Sequence, residues 1–596
     1  MQQLLRDSRL AIGELIFISL CGAVWMVNPQ AGVWFILIAL SLFLLKVFTG
    51  IVEFNSSDWL LLVFLITTVV GYWAAYDRAA AWNKAWLIAA GILLYYSLRA
   101  QPKGNLTWVS VLFFSIGVCT SLYYFLTYDF VAAPRRIDLV NTIGRWIMSV
   151  RPQTGWTPIH PNYVAGIVAV AVPFIYYPIW KFRQDNEHIP VVFYGFMTIG
   201  LGVAFIALVM ATSRGVVMAI ASGVGGWVLW KMMQSEGVKR WVKSEAVFPS
   251  ALIIYLLAIV VFLYLGPATS GSVFTGLYFY GTGSRAELFS RSLYLVFDYP
   301  ITGGGLGAFP GLYSQYILNI PFFNVPNSHN LFLDVAIEQG VFGGLSFLIL
   351  HIVSLWKVSS SIAKENVVQP FKWIVLFSLI VAIVHGMVDD YLYNGIGSIL
   401  SLFLVGLSLN GEKKNNAINR RFDFRTVALI VIIWVAIGLV NLNHIRSIWY
   451  ANLGAVQLSK LELDGFPKSG WAGEDIIPKL DVADKTLHSS LQFDTSNRTA
   501  NQRLGMIAML RRDFVPAVGY LSVAYKQTPN HRGIIKSLGY SYTWLGDMDI
   551  AQPLLSQTPE AQEELDVYIW WWETQGRSDL SENAAMMLDN LKNVIP

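Results

Sequence analysis

Apolar runs long enough to cross a bilayer recur along most of the chain and determine what it can fold into. From Ala11 to Leu442, runs of about 17 to 25 residues alternate with short polar loops, and each run can span roughly 30 Å of hydrocarbon. Only 13% of the 596 residues are charged and 55% are hydrophobic, a balance that soluble proteins of this length rarely have. The sequence therefore predicts an all-α, polytopic transmembrane helix bundle.

The apolar runs predict about thirteen spans, which form a membrane domain over residues 1–442. A large outer loop over 267–329 separates the ninth predicted span from the tenth. The predicted bounds of the spans are 11–27, 32–49, 58–75, 81–97, 107–128, 162–180, 190–210, 214–233, 248–266, 330–356, 371–388, 391–409 and 426–442.

Lysine and arginine are distributed unequally between the two sets of loops. One set is rich in lysine, whereas the other contains Lys84 as its only lysine. The positive-inside rule places the lysine-rich loops in the cytoplasm, so the N-terminus is predicted inside and the C-terminus, after an odd number of spans, outside. The remaining cations of the outer set are all arginines: Arg78, Arg135, Arg136, Arg145, Arg151, Arg214, Arg285 and Arg291.

Arginines on the outer face indicate a ligand as well as a topology. The planar guanidinium can bind a phosphate through two parallel hydrogen bonds, which a lysine cannot do. The outer arginines therefore predict an anionic ligand at the outer leaflet of the bilayer. Pairing with nearby acids or with lipid headgroups is the alternative for most of them, and it fits Arg214 and Arg285 least well.

Charge and cysteine content exclude other kinds of partner and site. The formal net charge is only +4 and is spread along the chain, so a nucleic acid is not a predicted partner. Cys21 and Cys119 both lie within apolar runs, which indicates neither a disulfide framework nor a metal site.

The motif Asn327-Ser328-His329-Asn330 opens the tenth predicted span and contains the candidate base. Asn327 or Ser328 is the predicted N-cap, which places His329 in or just before the first helical turn. The helix dipole lowers the pKa of an imidazole there, and a neutral imidazole at the mouth of a cavity can take a proton from a hydroxyl. A structural histidine bonded to a headgroup or to a backbone carbonyl remains the alternative.

Further polar groups are predicted on the same side of the membrane. Arg214 lies in Thr212-Ser213-Arg214-Gly215 at the outer end of the eighth span, and Arg285 begins an amphipathic loop helix that also contains Arg291. The glycine run at 303–307 provides either backbone room for a large substrate or a tight turn. Arg151 and His160 precede the sixth span. A metal triad of His160, His329 and His385 is possible in principle, but no ligand spacing supports it, so no metal is predicted.

An internal repeat marks the polar remainder of the chain, residues 443–596. Leu504-Gly505 recurs as Leu538-Gly539, with the 34-residue offset of tetratricopeptide repeats. Asp513 and Asp547, and Ala517 and Ala551, repeat at the same offset. The repeat predicts an extracytoplasmic α-helical domain of that type, which is either a docking module for a protein or glycan or a passive cap over the membrane domain.

Taken together, these motifs resemble the O-antigen ligase and polymerase superfamily of bacterial membrane glycosyltransferases, over about residues 1–442. The thirteenth span and the repeat domain depart from the family pattern and leave the acceptor open. The motifs that carry the resemblance are Ala75-Tyr76-Asp77-Arg78, Thr212-Ser213-Arg214-Gly215, Arg285 with the glycines of 303–307, His329-Asn330 and Glu338-Gln339-Gly340.

The resemblance implies a multi-pass protein of the bacterial cytoplasmic (inner) membrane that needs no metal or cofactor. It implies phosphate-binding roles for Arg214 and Arg285 and an essential role for His329. We therefore predict inverting transfer of a glycan from undecaprenyl diphosphate to a hydroxyl of an acceptor lipid, glycan or protein, by ligation or polymerisation. Arg291, Asn330, Arg151 and His160 complete the predicted substrate-binding set.

Two other classes of function remain open at this point. A transporter or flippase of lipid-linked sugars would carry charged residues within its helices at mid-bilayer and broken helices in both halves. A non-catalytic scaffold of a polysaccharide export complex would act through its repeat domain and would leave the arginine and histidine loop unexplained.

Overall fold

The computed structural model describes residues 7–52, 54–186, 188–235, 246–265, 285–317, 325–365, 369–410, 440–467 and 474–594. Within these ranges the regular structure is entirely helical, without a β-strand. The helices of the predicted membrane domain are α1 (Ser8–Val27), α2 (Pro29–Phe48), α3 (Ser57–Ala74), α4 (Arg78–Arg99), α5 (Leu106–Thr127), α6 (Asp138–Val150), α7 (Pro161–Ala171), α8 (Tyr176–Gln184), α9 (Val191–Ala211), α10 (Arg214–Met233), α11 (Val247–Leu265), α12 (Arg285–Asp298), α13 (Phe309–Ile317), α14 (Leu331–Lys364), α15 (Pro370–Gly386) and α16 (Phe403–Ser408).

Eight helical segments of the described chain are long and apolar enough to cross a membrane. Three shorter apolar helices, Val247–Phe262, Pro370–Gly386 and Gly395–Ser408, accompany them. The structure thus confirms an all-helical fold with several candidate membrane spans, while the count of about thirteen stays a prediction. The thirteenth predicted span, 426–442, lies outside the described residues except for its last three positions.

Within the described residues three predicted spans are interrupted rather than continuous: the sixth, the tenth and the twelfth. The sixth consists of α7, a 3₁₀ turn at Val172–Ile175 and α8, because Pro173 cannot continue an α-helical hydrogen-bond ladder. The twelfth, predicted over 391–409, contains a 3₁₀ segment at Gly395–Leu400 before the short α16. At its start Gly395 has a φ of 53°, and a Cβ on Gly397 would lie 1.9 Å from the carbonyl oxygen of Tyr391. The positive φ of Gly395 lies outside the right-handed helical range, so a regular α-helix is interrupted there, and the close approach at Gly397 leaves no room for a side chain.

The glycine run of the outer loop packs against a kink in α14. Gly340 interrupts that helix with φ 76° and ψ 178°, which frees carbonyl groups of the preceding turn. The amide of Gly304 donates to the carbonyl of Ile337 at 2.7 Å, and that of Gly305 donates to the carbonyl of Glu338 at 3.2 Å. In the described structure the run is therefore a tight turn that packs closely on a helix.

The C-terminal helices form successive antiparallel hairpins. Arg498 and Arg532 begin the first helices of two hairpins, and Phe514 and Met548 begin the second helices, in each case 34 residues apart. The helices are α17 (Leu442–Glu462), α18 (Leu480–Leu491), α19 (Arg498–Leu510), α20 (Phe514–Gln527), α21 (Arg532–Leu545), α22 (Met548–Leu555), α23 (Ala561–Thr574) and α24 (Ser578–Val594). The described helices thus follow the sequence period, while their assignment to the tetratricopeptide type stays a prediction.

The repeated glycines allow the two helices of a hairpin to pack closely. A Cβ on Gly505 would lie 2.5 Å from the Leu521 side chain, and one on Gly539 would lie 2.7 Å from Leu555. The same close contact between a glycine of the first helix and a leucine of the second therefore occurs in both hairpins.

The C-terminal helices pack on the outer loop. Asn452 of α17 accepts hydrogen bonds from the amides of Ile301 (2.8 Å) and Thr302 (3.1 Å). The amide of Leu306 in this loop donates to the carbonyl of Gly71 at 3.0 Å, at the end of α3 and next to the start of α4. Asn410, after α16, donates instead to the carbonyls of Leu98 (3.0 Å) and Gln101 (2.8 Å), at the end of α4. Asn410 and Asn452 therefore lie at opposite ends of the bundle, and the C-terminal helices lie at the same end as the outer loop.

Candidate functional site

Asn330, not Asn327 or Ser328, caps the N-terminus of α14. Its side chain accepts hydrogen bonds from the amides of Phe332 (3.1 Å) and Leu333 (3.0 Å). The predicted N-cap was wrong because three residues of this motif are good capping types and the sequence does not rank them. His329 consequently lies one residue before the cap, outside the helix.

The backbone of His329 adopts a left-handed conformation with a φ of 56°. Its amide donates to Oδ1 of Asn327 at 3.0 Å, which closes a local side-chain turn. A non-glycine residue in this region costs free energy and persists only where its surroundings hold it. The turn therefore fixes the direction in which the imidazole leaves the backbone.

The His329 imidazole is partly buried, with 25% of the side chain exposed. Its Nδ1 lies 4.0 Å from Oδ2 of Asp389 and makes no hydrogen bond to the described part of the chain. Burial, then the charge of Arg285, then His160 lower the pKa of His329 to about 3. A ring with so low a pKa is neutral near pH 7, and the causes are burial and neighbouring groups; the role of His329 as a base stays a prediction.

Asp389 is a site residue that the sequence analysis did not select. It is fully buried, and its Oδ2 accepts a hydrogen bond from Asn162 at 2.9 Å. Burial and then the adjacent Asp390 raise its pKa to about 7, against the opposing charge of Arg285. The available signal was the pair of consecutive acids at the outer end of a predicted span, where a charge is costly unless it has a use.

Arg285 connects the outer loop to the segment that contains Asp389. It is the first residue of α12, and its guanidinium donates a hydrogen bond to the carbonyl oxygen of Val388. The same cation contributes to the lowered pKa values of His329 and His160. Arg285 therefore lies near both imidazoles and the residue that precedes Asp389.

The start of α10, which contains Arg214, also approaches Val388. Thr212 ends α9 with a φ of 46°, and Ser213 occupies the N-cap position of α10 without a side-chain hydrogen bond. Arg214 is exposed and makes no hydrogen bond or ion pair to any described residue. A Cβ on Gly215 would lie 2.8 Å from the Val388 side chain. The start of α10 and the Arg285 guanidinium therefore converge on Val388.

Residues 199–348 match the O-antigen ligase family model, Wzy_C. The matched segment is about a quarter of the chain and contains Arg214, Arg285 and His329. No curated protein matches the chain. The O-antigen ligase match supports the superfamily that the motifs resemble and, with it, a membrane enzyme that transfers glycans.

Of the remaining predicted residues, His160 and Asn330 lie at the site that the O-antigen ligase segment forms with its neighbours. His160 is the N-cap of α7, where its Nδ1 accepts a hydrogen bond from the amide of Asn162 at 3.3 Å. Burial, then Arg135 and Arg285, lower its pKa to about 4, although the residue keeps an exposed surface. The Asn330 amide donates to the carbonyl of Met387 at 3.3 Å.

Arg151 and Arg291 lie elsewhere. Arg151 donates to the carbonyls of Phe125 (2.9 Å) and Tyr128 (2.8 Å), at the end of α5. Arg291 forms an ion pair with Glu287 on α12. Their predicted roles in substrate binding stay predictions, but the structure does not bring them to His329.

A buried network of hydrogen bonds supports the candidate site on the side away from the exposed face of His329. The hydroxyl of Tyr163 donates to Oδ1 of Asp390 at 2.6 Å and accepts from the side-chain amides of Asn327 (2.8 Å) and Asn394 (3.0 Å). This hydroxyl therefore links α7, the turn that holds His329 and the loop that contains Asp389. Such second-layer bonds restrict the positions of the groups that they support.

His385 packs between two helices of the bundle. Its ring lies between α7 and α10, where a Cβ on Gly166 would lie 2.7 Å from its Nδ1 and one on Gly215 would lie 3.3 Å from its Cδ2. Among the described residues there is no group of three or more His, Cys, Asp or Glu side chains that could hold a metal ion.

Proposed function

We propose that the protein transfers a glycan from an undecaprenyl-diphosphate donor to an acceptor hydroxyl at the outer leaflet of the cytoplasmic membrane. The observation that carries this proposal is the arrangement of a neutral imidazole, His329, beside a buried carboxylate, Asp389, with Arg285 held next to both. The O-antigen ligase match at residues 199–348 supports the class of reaction.

In this reaction Arg214 and Arg285 bind the diphosphate of the donor. Cleavage of the bond between the anomeric carbon and the phosphate oxygen leaves the bonding electrons on the diphosphate. Cations that are already in place stabilise this developing charge, most strongly where water is partly excluded. The exposed guanidinium of Arg214 is available to a ligand, and the positive charge of Arg285 lies beside it at the residue that precedes Asp389.

His329 acts as the general base. One ring nitrogen takes the proton of the acceptor hydroxyl while its oxygen forms a new bond to the anomeric carbon from the face opposite the diphosphate, which inverts that carbon. Asp389 then stabilises the imidazolium through Nδ1, the arrangement of a base oriented by a third group. The proton subsequently passes to water, and undecaprenyl diphosphate leaves.

The positions of the polar groups favour an enzyme over a transporter. The candidate site lies where α10 and α14 begin and α15 ends, and its two arginines and His329 are not at the middle of these helices. The interrupted spans in both halves would also fit a transporter, but a transporter would require its substrate-binding groups near the bilayer midplane, so the position of these groups decides for an enzyme.

The direct test is transfer by the purified protein from a synthetic undecaprenyl-diphosphate glycan in detergent or nanodiscs. Mass spectrometry of surface glycans and glycoproteins from cells that lack the gene identifies the acceptor and separates ligation from polymerisation. Absence of transfer to every acceptor class, together with absence of donor binding, would refute the proposal.

A further inference from the structure

The helix that begins with Arg285 is attached at its far end to the C-terminal helices. α12 runs from Arg285 to Asp298, a length of about 20 Å for 14 residues. Asp298 is 1% exposed and forms ion pairs with Arg498 and with Arg503, the latter at 3.4 Å. The hydroxyl of Thr499 donates to the same carboxylate at 3.2 Å. Three groups of α19 therefore meet one carboxylate of the outer loop.

The buried carboxylate of Asp298 is paired with two arginines, Arg498 and Arg503. Burial alone would raise the pKa of Asp298, but Arg498 and Arg503 outweigh it and hold the pKa below its usual value. Arg503 is itself only 5% exposed and also donates to the hydroxyl of Tyr299 at 3.2 Å. Removal of one partner from such a group leaves an uncompensated buried charge, so the contact resists separation.

The same face of the C-terminal helices contacts the loop at further points. Asn452 of α17 binds the amides of Ile301 and Thr302, and its Nδ2 donates to the Thr302 hydroxyl at 2.6 Å. Arg532 of α21 lies 3.7 Å from Glu287, in the first turn of α12. Asn452, Arg503 and Arg532 belong to the first helices of three successive hairpins. One face of the helical array is therefore occupied by this chain's own loop.

A fully buried histidine completes the interface. The ring of His531 lies between those of Tyr294 and Tyr316, with centroid distances of 4.7 Å to each. Tyr294 belongs to α12 and Tyr316 to α13, so both helices of the loop pack on the same residue. The interface combines ion pairs, backbone hydrogen bonds and ring packing, and a passive cap would not need so specific a set of contacts.

We infer that the C-terminal helical domain positions Arg285 from within the same chain, and that Asp298 is the principal positioning residue. This inference rests on the proposed function, since it assigns to the domain the placement of a diphosphate-binding arginine. The domain fixes the far end of α12, while the contact with Val388 fixes the near end. The loop-facing side of the array is consequently not a docking surface for another protein.

The test compares Asp298→Asn with Asp566→Asn, which changes an exposed carboxylate of α23. We expect Asp298→Asn to raise the KM for the donor roughly ten-fold or more, equivalent to about 1.4 kcal/mol. Hydrogen exchange of peptides from 285–298 should become faster, whereas exchange in the membrane helices should not change. A structural defect alone would reduce the amount of active enzyme and lower the apparent kcat at unchanged KM.

A double-mutant cycle isolates the action through Arg285. In an Arg285→Lys background, Asp298→Asn should add little further loss, because the group that it positions is already altered. Fully additive losses, or a wild-type KM in Asp298→Asn, would overturn the inference. If Asp298→Asn does not fold, Asn452→Ala removes a separate contact of the same interface and should give the same exchange and KM changes.

The inference and the proposed function fail in different ways. If the wild-type protein neither transfers a glycan nor binds undecaprenyl diphosphate, the proposed function is wrong, but faster exchange of 285–298 in Asp298→Asn would still show the attachment. If the wild-type protein is active and Asp298→Asn matches it in KM and in exchange, only the inference is wrong.

Discussion

The guanidinium of Arg285 donates a hydrogen bond to the carbonyl oxygen of Val388, one residue before Asp389. These residues are far apart in the sequence and belong to different parts of the fold, the outer loop and the end of α15. The contact brings a cation that can bind phosphate to the carboxylate that faces His329. In the proposed reaction, the position of the outer loop would be coupled to the acid–base chemistry of His329 and Asp389 through this one backbone carbonyl.

His329→Ala should abolish turnover while the protein still folds and binds the donor. A general base contributes about 10²–10⁴-fold to the rate, whereas the diphosphate is held by Arg214 and Arg285. Single-turnover transfer and donor binding should be measured side by side. The control is His444→Ala, which removes an exposed imidazole from α17.

Wild-type turnover in His329→Ala would reduce this histidine to a structural role. The same assay should include EDTA, and we expect activity to survive it because the proposed mechanism uses only side chains. Activity that is lost on chelation and restored by a divalent ion would show that the mechanism needs a metal.

Arg214→Lys and Arg285→Lys should each lose activity although the charge is kept. The planar fork that binds two oxygens is lost, at a cost of about 1.5–3 kcal/mol, or roughly ten- to a hundred-fold. The matched control is Arg145→Lys on α6, where the exposed side chain contacts Thr142 at 3.1 Å. Equal activity in all three variants would show that the two site arginines do not bind the donor in this way.

The pH dependence of kcat/KM should report the ionisation of the coupled carboxyl groups of Asp389 and Asp390. Burial and Asp390 raise the pKa of Asp389 to about 7, and only its ionised form can stabilise the His329 imidazolium. The rate should therefore rise with pH through about 7, and His329, with a pKa near 3, should add no limb above pH 5. A limb that survives in Asp389→Asn would assign it to another group.

The contribution of Asp389 to the free energy of unfolding should fall as the pH rises, whereas the rate should increase. Because the folded pKa of Asp389 is raised, its contribution to stability is fully present below about pH 4 and is lost as pH rises through about 7. The free energy of unfolding of Asp389→Asn minus that of the wild type should therefore be larger at pH 8 than at pH 5. Thermal unfolding in detergent at both values checks this, with Asp566→Asn as the control, and an equal difference at both pH values would contradict it.

A reporter that is active only outside the cytoplasm should be active when fused after Pro596. The C-terminal helices contact the outer loop, so both lie at one end of the bundle, and the lysine distribution assigns that end to the outside. A cytoplasmic reporter at the same position should be silent. The reverse result would invert the proposed orientation of the site and place the reaction at the inner leaflet.

The sequence was informative wherever a property is local. Helices were predicted because length and apolar content suffice to identify a span, and Arg285 and His329 stood out as polar groups between apolar runs. Asp389 was missed because its importance arises from the approach of the turn at His329 to the end of α15. The helix α6, Asp138–Val150, was also missed because short amphipathic helices between spans lack the length signal of a membrane span.

The kink at Gly340 has a consequence for evolution. A Cβ there would lie 2.6 Å from the carbonyl oxygen of Ile301, and one on Gly303 would lie 2.3 Å from that of Glu338. Both residues also have positive φ angles, so substitution at either is excluded by conformation and by space. In an alignment of homologues the two glycines should be retained or lost together, even where the intervening loop varies in length and composition. The register between the glycine run and α14 would then be inherited unchanged, whatever the sequence between the two glycines.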